Sequence, residues 1–188
     1  MPSIQKVAVI GSGVMGSGIA AQVANAGLEV VLLDIVAEGS DRDAVARGAI
    51  QRMRKTNPAP LMHPRNAGRI RPGNLDDHLD WLADCDLVIE AVLENLEIKK
   101  DLYQKVDAHR RSDCIVTSNT STIPLDHLVA DMSEDFREYF AVTHFFNPPR
   151  YMRLLELVAG SDTRAEVITA LRDFGDQLLG KSVVDCKD

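Results

Sequence analysis

Three glycines near the N-terminus have the spacing of a loop that binds the pyrophosphate of a dinucleotide. Gly11, Gly13 and Gly16 form the sequence GSGVMG directly after the apolar run KVAVI. In such a loop the first glycine permits a tight turn, the second lets the backbone approach phosphates, and the third lets helix and strand pack closely. Val14 and Met15 would begin a helix whose free N–H groups favour phosphate binding. We therefore predict that these five residues bind the cofactor.

An acidic residue follows the loop at a position that suits recognition of a ribose. Asp34 ends the second apolar run, EVVLLD, 18 residues after Gly16. A carboxylate there can accept hydrogen bonds from both hydroxyls of an adenosine ribose and would repel a 2′-phosphate, which favours NAD over NADP. The alternative is a glycine turn followed by an ordinary solvated aspartate. FAD is a competing dinucleotide, although nothing downstream is typical of a flavin protein.

A histidine and a glutamate in the second half have side chains suited to proton transfer. Glu156 lies inside the apolar run LLELV, where burial of a carboxylate costs free energy unless the carboxylate has a partner. His144 lies twelve residues earlier, in HFFNPP, and two strands joined by a turn containing Pro149 could bring the two side chains together. Histidine exchanges protons near neutral pH, although a lone histidine at a strand end is more often structural.

The elements that must position these residues alternate between strand and helix. Short apolar runs predict strands at 6–11, 29–34, 69–75 (strand or turn), 86–92, 114–119, 140–149, 153–160 and 182–185. Helical patterns cover 14–25, 38–55, 77–83, 95–109 and 163–179. This order predicts an α/β fold of the Rossmann type, with a doubly wound, mostly parallel sheet that binds ligands at the carboxyl ends of its strands. We expect one domain over residues 1–188, with an irregular proline-rich insertion near 57–74.

Composition restricts the classes of partner. A net charge of −7 disfavours nucleic acid as a general partner. The N-terminus does not have the pattern of a signal peptide, and no apolar stretch is long enough to span a bilayer, so no membrane association is expected. The three cysteines are odd in number and form no CxxC pair, which favours a reducing, cytoplasmic location. The remaining histidines lack ligand-like spacing, so we predict no metal site.

Further motifs at the later strand ends reveal a family resemblance. The runs EAVLEN, SNTST and HFFNPP stand in this order behind the glycine loop, and GKSVVDCKD closes the chain. Together they closely resemble the 3-hydroxyacyl-CoA dehydrogenase family, from about Gln5 to Asp188. The resemblance implies an NAD-dependent oxidoreductase of fatty acid β-oxidation, which oxidises an L-3-hydroxyacyl-CoA substrate to a 3-oxoacyl-CoA.

The resemblance also implies roles for individual residues. His144 corresponds to the family's general base, and Glu156 to the carboxylate that orients and stabilises its imidazole. Ser121 corresponds to the serine that hydrogen-bonds the reacting oxygen beside the nicotinamide, and Asn147 to an asparagine next to the cofactor. A polar strand-to-helix turn with a capping hydroxyl remains an alternative reading of the SNTST run.

Two charged residues correspond to family positions around the nicotinamide ribose. These are Glu94 and Lys99, with Lys100 as the adjacent alternative because the register is uncertain there. Both lysines and the glutamate could instead be ordinary solvated residues at the start of a helix.

The resemblance implies a second, helical domain that these 188 residues do not contain. In the family that domain completes the acyl pocket and forms most of a homo-oligomeric interface. We therefore expect this chain to bind NAD(H) and to turn over substrate weakly or not at all alone. The insertion and the run PPRYMRLLE resemble larger proteins in which an enoyl-CoA hydratase module is fused to the dehydrogenase.

Other functions remain open at this point. A dehydrogenase of a free hydroxy or sugar acid belongs to the same family and shares the histidine–glutamate pair. The β-hydroxyacid dehydrogenases also have a GxGxMG loop, but they rely on a lysine in a later helix. A non-catalytic NAD-binding module is the alternative from another class.

Overall fold

A single eight-stranded sheet organises the chain. The computed structural model describes residues 4–187. Its strands are β1 (Lys6–Ile10), β2 (Glu29–Asp34), β3 (Ile70–Asn74), β4 (Leu87–Glu90), β5 (Ile115–Ser118), β6 (Phe140–Phe145), β7 (Leu154–Ala159) and β8 (Ser182–Cys186). The α-helices are α1 (Val14–Asn25), α2 (Ala44–Met53), α3 (Leu96–His109), α4 (Leu125–Val129), α5 (Glu134–Glu138) and α6 (Ala165–Asp173).

The sheet has the doubly wound order β3-β2-β1-β4-β5-β6-β7-β8. Neighbouring strands are parallel except for β6 and β7, which are antiparallel. The order reverses between β1 and β4, and at such a switch point the loops leaving the two strands diverge to opposite faces and open a crevice. The predicted Rossmann-type fold is confirmed.

Helices cover both faces of the sheet, so the central strands are apolar on both sides. Val7 and Val9 enter one core, beneath α1, α2 and α6. Ala8 and Ile10 enter the other, beneath α3, α4 and α5. This explains why β1 is an unbroken apolar run rather than an alternating one, as expected for a buried parallel strand. No helix among residues 4–187 is long and apolar enough to cross a bilayer.

Several element boundaries differ from the sequence prediction. The predicted helix at 77–83 is a 3₁₀ helix (Leu79–Asp84). The predicted helix at 163–179 is α-helical only over α6 and continues as a π-helical turn, Phe174–Leu178. The short helices α4 and α5 were not predicted. Each has only five residues, which is too short for a helical period to emerge from the sequence.

The proline-rich stretch is more regular than predicted. Only residues 57–63 lack helix and strand, because a 3₁₀ helix (Pro64–Arg69) and β3 follow. Pro72 is tolerated inside β3 because this strand forms the edge of the sheet. The side chain of Asn25, at the end of α1, holds the stretch by donating to the Pro60 carbonyl (2.9 Å) and accepting from the Met62 N–H (2.8 Å).

Candidate cofactor and proton-transfer site

The glycine loop connects β1 to α1, and each of its glycines meets a different requirement. Gly11 has φ 96°, and a Cβ there would lie 2.5 Å from the Ala91 carbonyl oxygen. A Cβ on Gly16 would overlap the Gly11 carbonyl. A Cβ on Gly13, in contrast, would have no atom of the described residues within 4 Å. The fold therefore requires Gly11 and Gly16, whereas the open space at Gly13 suits a ligand that must approach the backbone.

The N-terminus of α1 is prepared for an anion. Gly13 is its N-cap and provides no side-chain cap, and the first turn contains no acidic residue. The first N–H groups of a helix have no partner within the helix and carry partial positive charge. Because Gly13 leaves space in front of them, these groups fit the pyrophosphate of a dinucleotide.

Asp34 lies at the end of β2, beside this loop. Its Oδ2 accepts hydrogen bonds from the Ser12 N–H and hydroxyl, both at 2.5 Å, and its Oδ1 accepts from the Ile35 N–H at 2.7 Å. These donors fix the carboxylate at the rim of the cavity described next, where it suits the hydroxyls of a ribose.

A cavity of about 760 Å³ extends along the carboxyl ends of β1, β4 and β5. The predicted cofactor residues among those that line it are Gly11, Gly13, Val14, Met15, Asp34, Glu94, Lys99 and Ser121. Gly16 and Asn147 are not in its wall: Gly16 is buried behind the loop, and Asn147 is exposed beyond β6. The structure thus brings together eight of the ten predicted cofactor residues.

A buried ionic network forms part of the structure beneath this wall, and its central residue was missed by the sequence prediction. Glu90 ends β4 and is 1% exposed. It accepts hydrogen bonds from Lys99 Nζ (2.7 and 2.9 Å), the Tyr103 hydroxyl (2.7 Å), the Ser118 hydroxyl (2.6 Å) and the Val92 N–H (2.8 Å). Burial, together with the charge of Glu90, raises the pKa of Tyr103 well above its usual range. The sequence signal for Glu90 was a carboxylate that directly follows a buried apolar strand.

Lys99, rather than Lys100, faces the cavity. The Lys99 side chain is 1% exposed and its Nζ lies 3.2 Å from Glu94 Oε2 as well as against Glu90. Lys100 points away from the cavity and pairs with Asp131 at 2.7 Å. Of the two lysines, Lys99 therefore lines the cavity, and its role around the ribose stays a prediction.

Glu94 connects this network to the loop after β5. Its Oε1 accepts hydrogen bonds from the Thr120 hydroxyl (2.5 Å), the Ser121 N–H (3.1 Å), and the N–H and hydroxyl of Thr122 (3.3 and 3.1 Å). Burial alone would raise the pKa of Glu94, but the Thr120 hydroxyl and the charge of Lys99 outweigh it and lower this pKa to about 2. An ionised Glu94 thereby fixes the backbone of Ser121 at the cavity wall.

His144 and Glu156 face each other across the only antiparallel strand pair of the described sheet. They are direct partners in the register of β6 and β7, and His144 Nδ1 lies 2.8 Å from Glu156 Oε2. The predicted contact is therefore present. The side chains are 22% and 34% exposed, so the partner expected for Glu156 is present in a pair that is only partly buried. The reason is that β7 is covered less completely than the central strands.

The histidine strand is joined directly to the cavity wall. Asn119, which lines the cavity, accepts a hydrogen bond through Oδ1 from the N–H of Phe145 (2.9 Å). His144 is the preceding residue in β6 and lies outside the set of residues that line the cavity. The histidine–glutamate pair therefore stands beside the cavity rather than within its wall.

The turn that carries β6 into β7 is fixed from two sides. Lys181 Nζ donates hydrogen bonds to the carbonyls of Pro149 and Met152, the latter at 2.8 Å. Burial lowers the pKa of Lys181 to about 8. Pro149 packs closely against Gly18 of α1: a Cβ on Gly18 would lie 2.8 Å from the proline Cδ. These contacts hold the positions from which both strands of the pair begin or end.

A dinucleotide-shaped crevice at the switch point of a parallel sheet, with a histidine–carboxylate pair beside it, is typical of the cofactor domains of dehydrogenases. The chain belongs to the 3-hydroxyacyl-CoA dehydrogenase family, since the profile described as "3-hydroxyacyl-CoA dehydrogenase, NAD binding domain" matches residues 6–188. NAD is accordingly its cofactor.

Similar proteins support the same assignment. A protein of Rickettsia felis, provisionally named a fatty acid oxidation complex trifunctional enzyme, is 48% identical over 98% of this chain and 26% of its own length. One of Deinococcus radiodurans, provisionally named a 3-hydroxyacyl-CoA dehydrogenase, is 45% identical over 98% of the chain and 54% of its own length. The crystal structure of Escherichia coli 3-hydroxybutyryl-CoA dehydrogenase superposes with a TM-score of 0.83 and 34% identity, covering 99% of this chain and 39% of that one. The chain thus spans between a quarter and about half of these relatives.

Proposed function

We propose that these residues form the NAD-binding domain of an enzyme that oxidises L-3-hydroxyacyl-CoA thioesters to 3-oxoacyl-CoA thioesters. The observation that carries this proposal is the contact of 2.8 Å between His144 Nδ1 and Glu156 Oε2 beside the cofactor cavity. A secondary alcohol gives up a hydride and a proton when it is oxidised. A cofactor crevice next to a histidine–carboxylate pair provides for both.

The strand order gives the site a direction. Strands β2, β1, β4, β5 and β6 are consecutive neighbours, so the residues at their carboxyl ends follow one another as Asp34, Gly13, Glu94, Ser121 and His144. Asp34 suits the adenosine ribose, and Gly13 suits the pyrophosphate. The reacting end of the cofactor then belongs at Glu94 and Ser121, which is also the end nearest the proposed base.

The histidine–glutamate pair is proposed to accept the proton of the substrate hydroxyl. With Nδ1–H donating to Glu156, the lone pair of His144 lies on Nε2, which can accept the proton of the substrate hydroxyl. The carboxylate keeps the ring in this tautomer and stabilises the imidazolium that forms. Bound NAD⁺ would accept the hydride from the carbon that bears this hydroxyl.

Ser121 is proposed to orient the reacting oxygen. Its backbone is held against the cavity wall by the hydrogen bond from its N–H to Glu94. A hydroxyl on so fixed a backbone can donate to the substrate oxygen without a further cost of ordering. The residues described above support alcohol oxidation and cofactor binding, and neither requires a thioester. The thioester class of the substrate is therefore proposed from the family and from the names of the relatives.

The test is a pair of assays on the full natural protein that contains these residues. Consumption of NADH is followed with acetoacetyl-CoA and, separately, with free acetoacetate. We expect turnover of the thioester only, and a fall in kcat/KM of about 100-fold or more in His144→Ala because general-base catalysis contributes at least this much. Turnover of the free acid alone would contradict the substrate class and favour an acid dehydrogenase.

The control is NADH binding by the same variant. His144 lies outside the cavity wall, so its removal is expected to leave the dissociation constant of NADH unchanged. A wild-type protein that folds and binds NADH but turns over neither substrate would favour a non-catalytic NAD-binding module. Full activity of His144→Ala would remove the histidine from the proposal.

A further inference from the structure

The network of Glu90, Lys99 and Glu94, called here the ionic triad, contains more negative than positive charge. The donors around Glu90 include an ammonium group and a backbone N–H, neither of which can accept a proton from a carboxylic acid. The Ser118 hydroxyl accepts the N–H of Thr120 (3.2 Å) and donates its own hydrogen to Glu90 (2.6 Å). Glu90 is thus satisfied as a carboxylate.

The charges of the triad add up to −1. Glu90 and Glu94 contribute two carboxylates, and Lys99 contributes one ammonium that lies within 3.2 Å of both. The other charged residues in this part of the cavity wall are Asp101 and Lys105, whose charges offset each other. Glu90 and Lys99 are 1% exposed and the Glu94 side chain is 37% exposed, so solvent screens the surplus charge only in part.

This surplus lies at the end of the cavity where the two redox forms of the cofactor differ. The nicotinamide ring is a cation in NAD⁺ and is neutral in NADH, whereas the adenosine half is the same in both. We propose that the ionic triad sets the redox preference of the site, stabilising bound NAD⁺ relative to bound NADH through its net negative charge. This inference rests on the proposed direction of the cofactor, with the reacting end at Glu94.

The structure of the triad explains why a lysine is present at all. A buried carboxylate without a cation beside it is costly in the protein interior. Lys99 lies against both Glu90 and Glu94, and its charge helps to lower the pKa of Glu94, so the formal charge of the triad at the cavity wall is −1. Glu90 therefore acts through Lys99 and Glu94 as a positioning residue, without touching the cofactor itself.

The experiment measures dissociation constants of NAD⁺ and NADH on this chain by calorimetry, for the wild type and for Glu90→Gln. The substitution makes the triad neutral at nearly constant volume. We expect NAD⁺ affinity to fall on the order of tenfold more than NADH affinity, the size expected for one charge several ångströms away in protein. An equal loss for both forms, or an unchanged ratio, would overturn the inference.

Two further variants keep the test decisive. Glu94→Gln also makes the triad neutral at a less buried position, so it is expected to shift the ratio in the same direction if Glu90→Gln does not fold. Asp34→Asn removes a carboxylate at the adenosine end, and it should weaken both forms by the same factor. A ratio shifted equally by Asp34→Asn would overturn the proposed direction of the cofactor, whereas a ratio unmoved by any variant would overturn the role of the triad alone.

Discussion

The two sides of the site differ in how their charges are held. On the cofactor side, Glu90 and Lys99 are each 1% exposed and paired inside the protein. On the side proposed for proton transfer, His144 and Glu156 are 22% and 34% exposed. A buried ion pair is tolerated only when it is complete, because one unpaired ion in the interior costs several kcal/mol. An exposed pair contributes little to folding and can change its charge during a reaction.

The difference in exposure between the two pairs follows from their positions in the sheet. The ionic triad lies at the end of β4 and the start of α3, among parallel strands that helices cover on both faces. The histidine–glutamate pair lies where β6 meets antiparallel β7. The covered half suits a preorganised cofactor site, whereas the more open half leaves space beside the proposed base.

The largest expected effect is a loss of stability when the buried ionic network is broken at Glu90. Glu90→Ala leaves the Lys99 ammonium with a single partner and removes the acceptor of three further donors. We expect the free energy of unfolding to fall by about 3–5 kcal/mol, as measured by urea denaturation of this chain.

Glu156→Ala is the matched control on the open side. It removes a carboxylate that is 34% exposed, and we expect a loss of less than about 1 kcal/mol. Equal losses for the two alanine variants would contradict the contrast between the two sides.

The second prediction separates binding from folding within the glycine loop. Gly13→Ala places a methyl group in open space, at an ordinary φ of −65°. We expect stability to be kept but NADH to bind about tenfold more weakly or worse, a loss of 1.4 kcal/mol or more, because the methyl group obstructs the phosphates. Gly16→Ala, which would clash with the Gly11 carbonyl, should instead destabilise the fold. A Gly13→Ala variant that binds NADH normally would contradict the role of this glycine.

Much of the fold could be predicted because the short run of residues that forms each central strand is itself typical of a buried strand. Predicted bounds for α1 and β2 agree with the structure, since apolar runs, glycine and helical spacing all indicate the same boundary there. The predicted helix at 95–109 also agrees with α3 (Leu96–His109), whose N-cap is Asn95: the Asn95 side chain accepts the Ile98 N–H at 3.1 Å. Helices α4 and α5 escaped because their stability comes from packing of residues such as Phe136 into the core, which no local pattern records.

The candidate site was predicted unevenly for a similar reason. Sequence motifs placed Asp34 and the glycine loop, and the antiparallel turn placed His144 opposite Glu156. The centre of the ionic triad, Glu90, was not predicted, because three of its four donors come from other elements and only the fold assembles them. Asn147, which the family resemblance assigned to the cofactor, lies outside the cavity wall, and its role stays a prediction.

The third prediction concerns the hydrogen bond between Asn119 and the Phe145 N–H, which joins the cavity wall to the strand of His144. Asn119→Leu keeps the branching and the number of heavy atoms of the side chain but removes the acceptor of the Phe145 N–H. We expect a loss of about 1–2 kcal/mol in the free energy of unfolding, because an unsatisfied buried donor costs about this much. Turnover by the full natural protein should fall as well, since Phe145 follows His144. Asn119→Asp, which retains an acceptor, should restore stability, and a stable Asn119→Leu variant would show that the joint is unimportant.

The smallest expected effect is a pH dependence confined to the cofactor side. The pKa of Glu94 is lowered to about 2 from an ordinary value of 4.5, so its ionised form stabilises the fold fully above about pH 4.5, and this stabilisation is lost as pH falls through about 2. Since the side chain is 37% exposed, we expect only about 1 kcal/mol after screening by solvent.

Urea denaturation of wild type and Glu94→Gln at several pH values measures this contribution as a difference. The difference should be constant from pH 7 to 5 and shrink toward pH 2, because the protonated wild-type side chain then resembles the amide. Thr120→Val, which removes one donor to Glu94, should give a smaller version of the same curve. A difference that does not change between pH 5 and 2.5 would mean that the hydrogen bonds of Glu94, rather than its charge, hold the loop of Ser121 against the cavity.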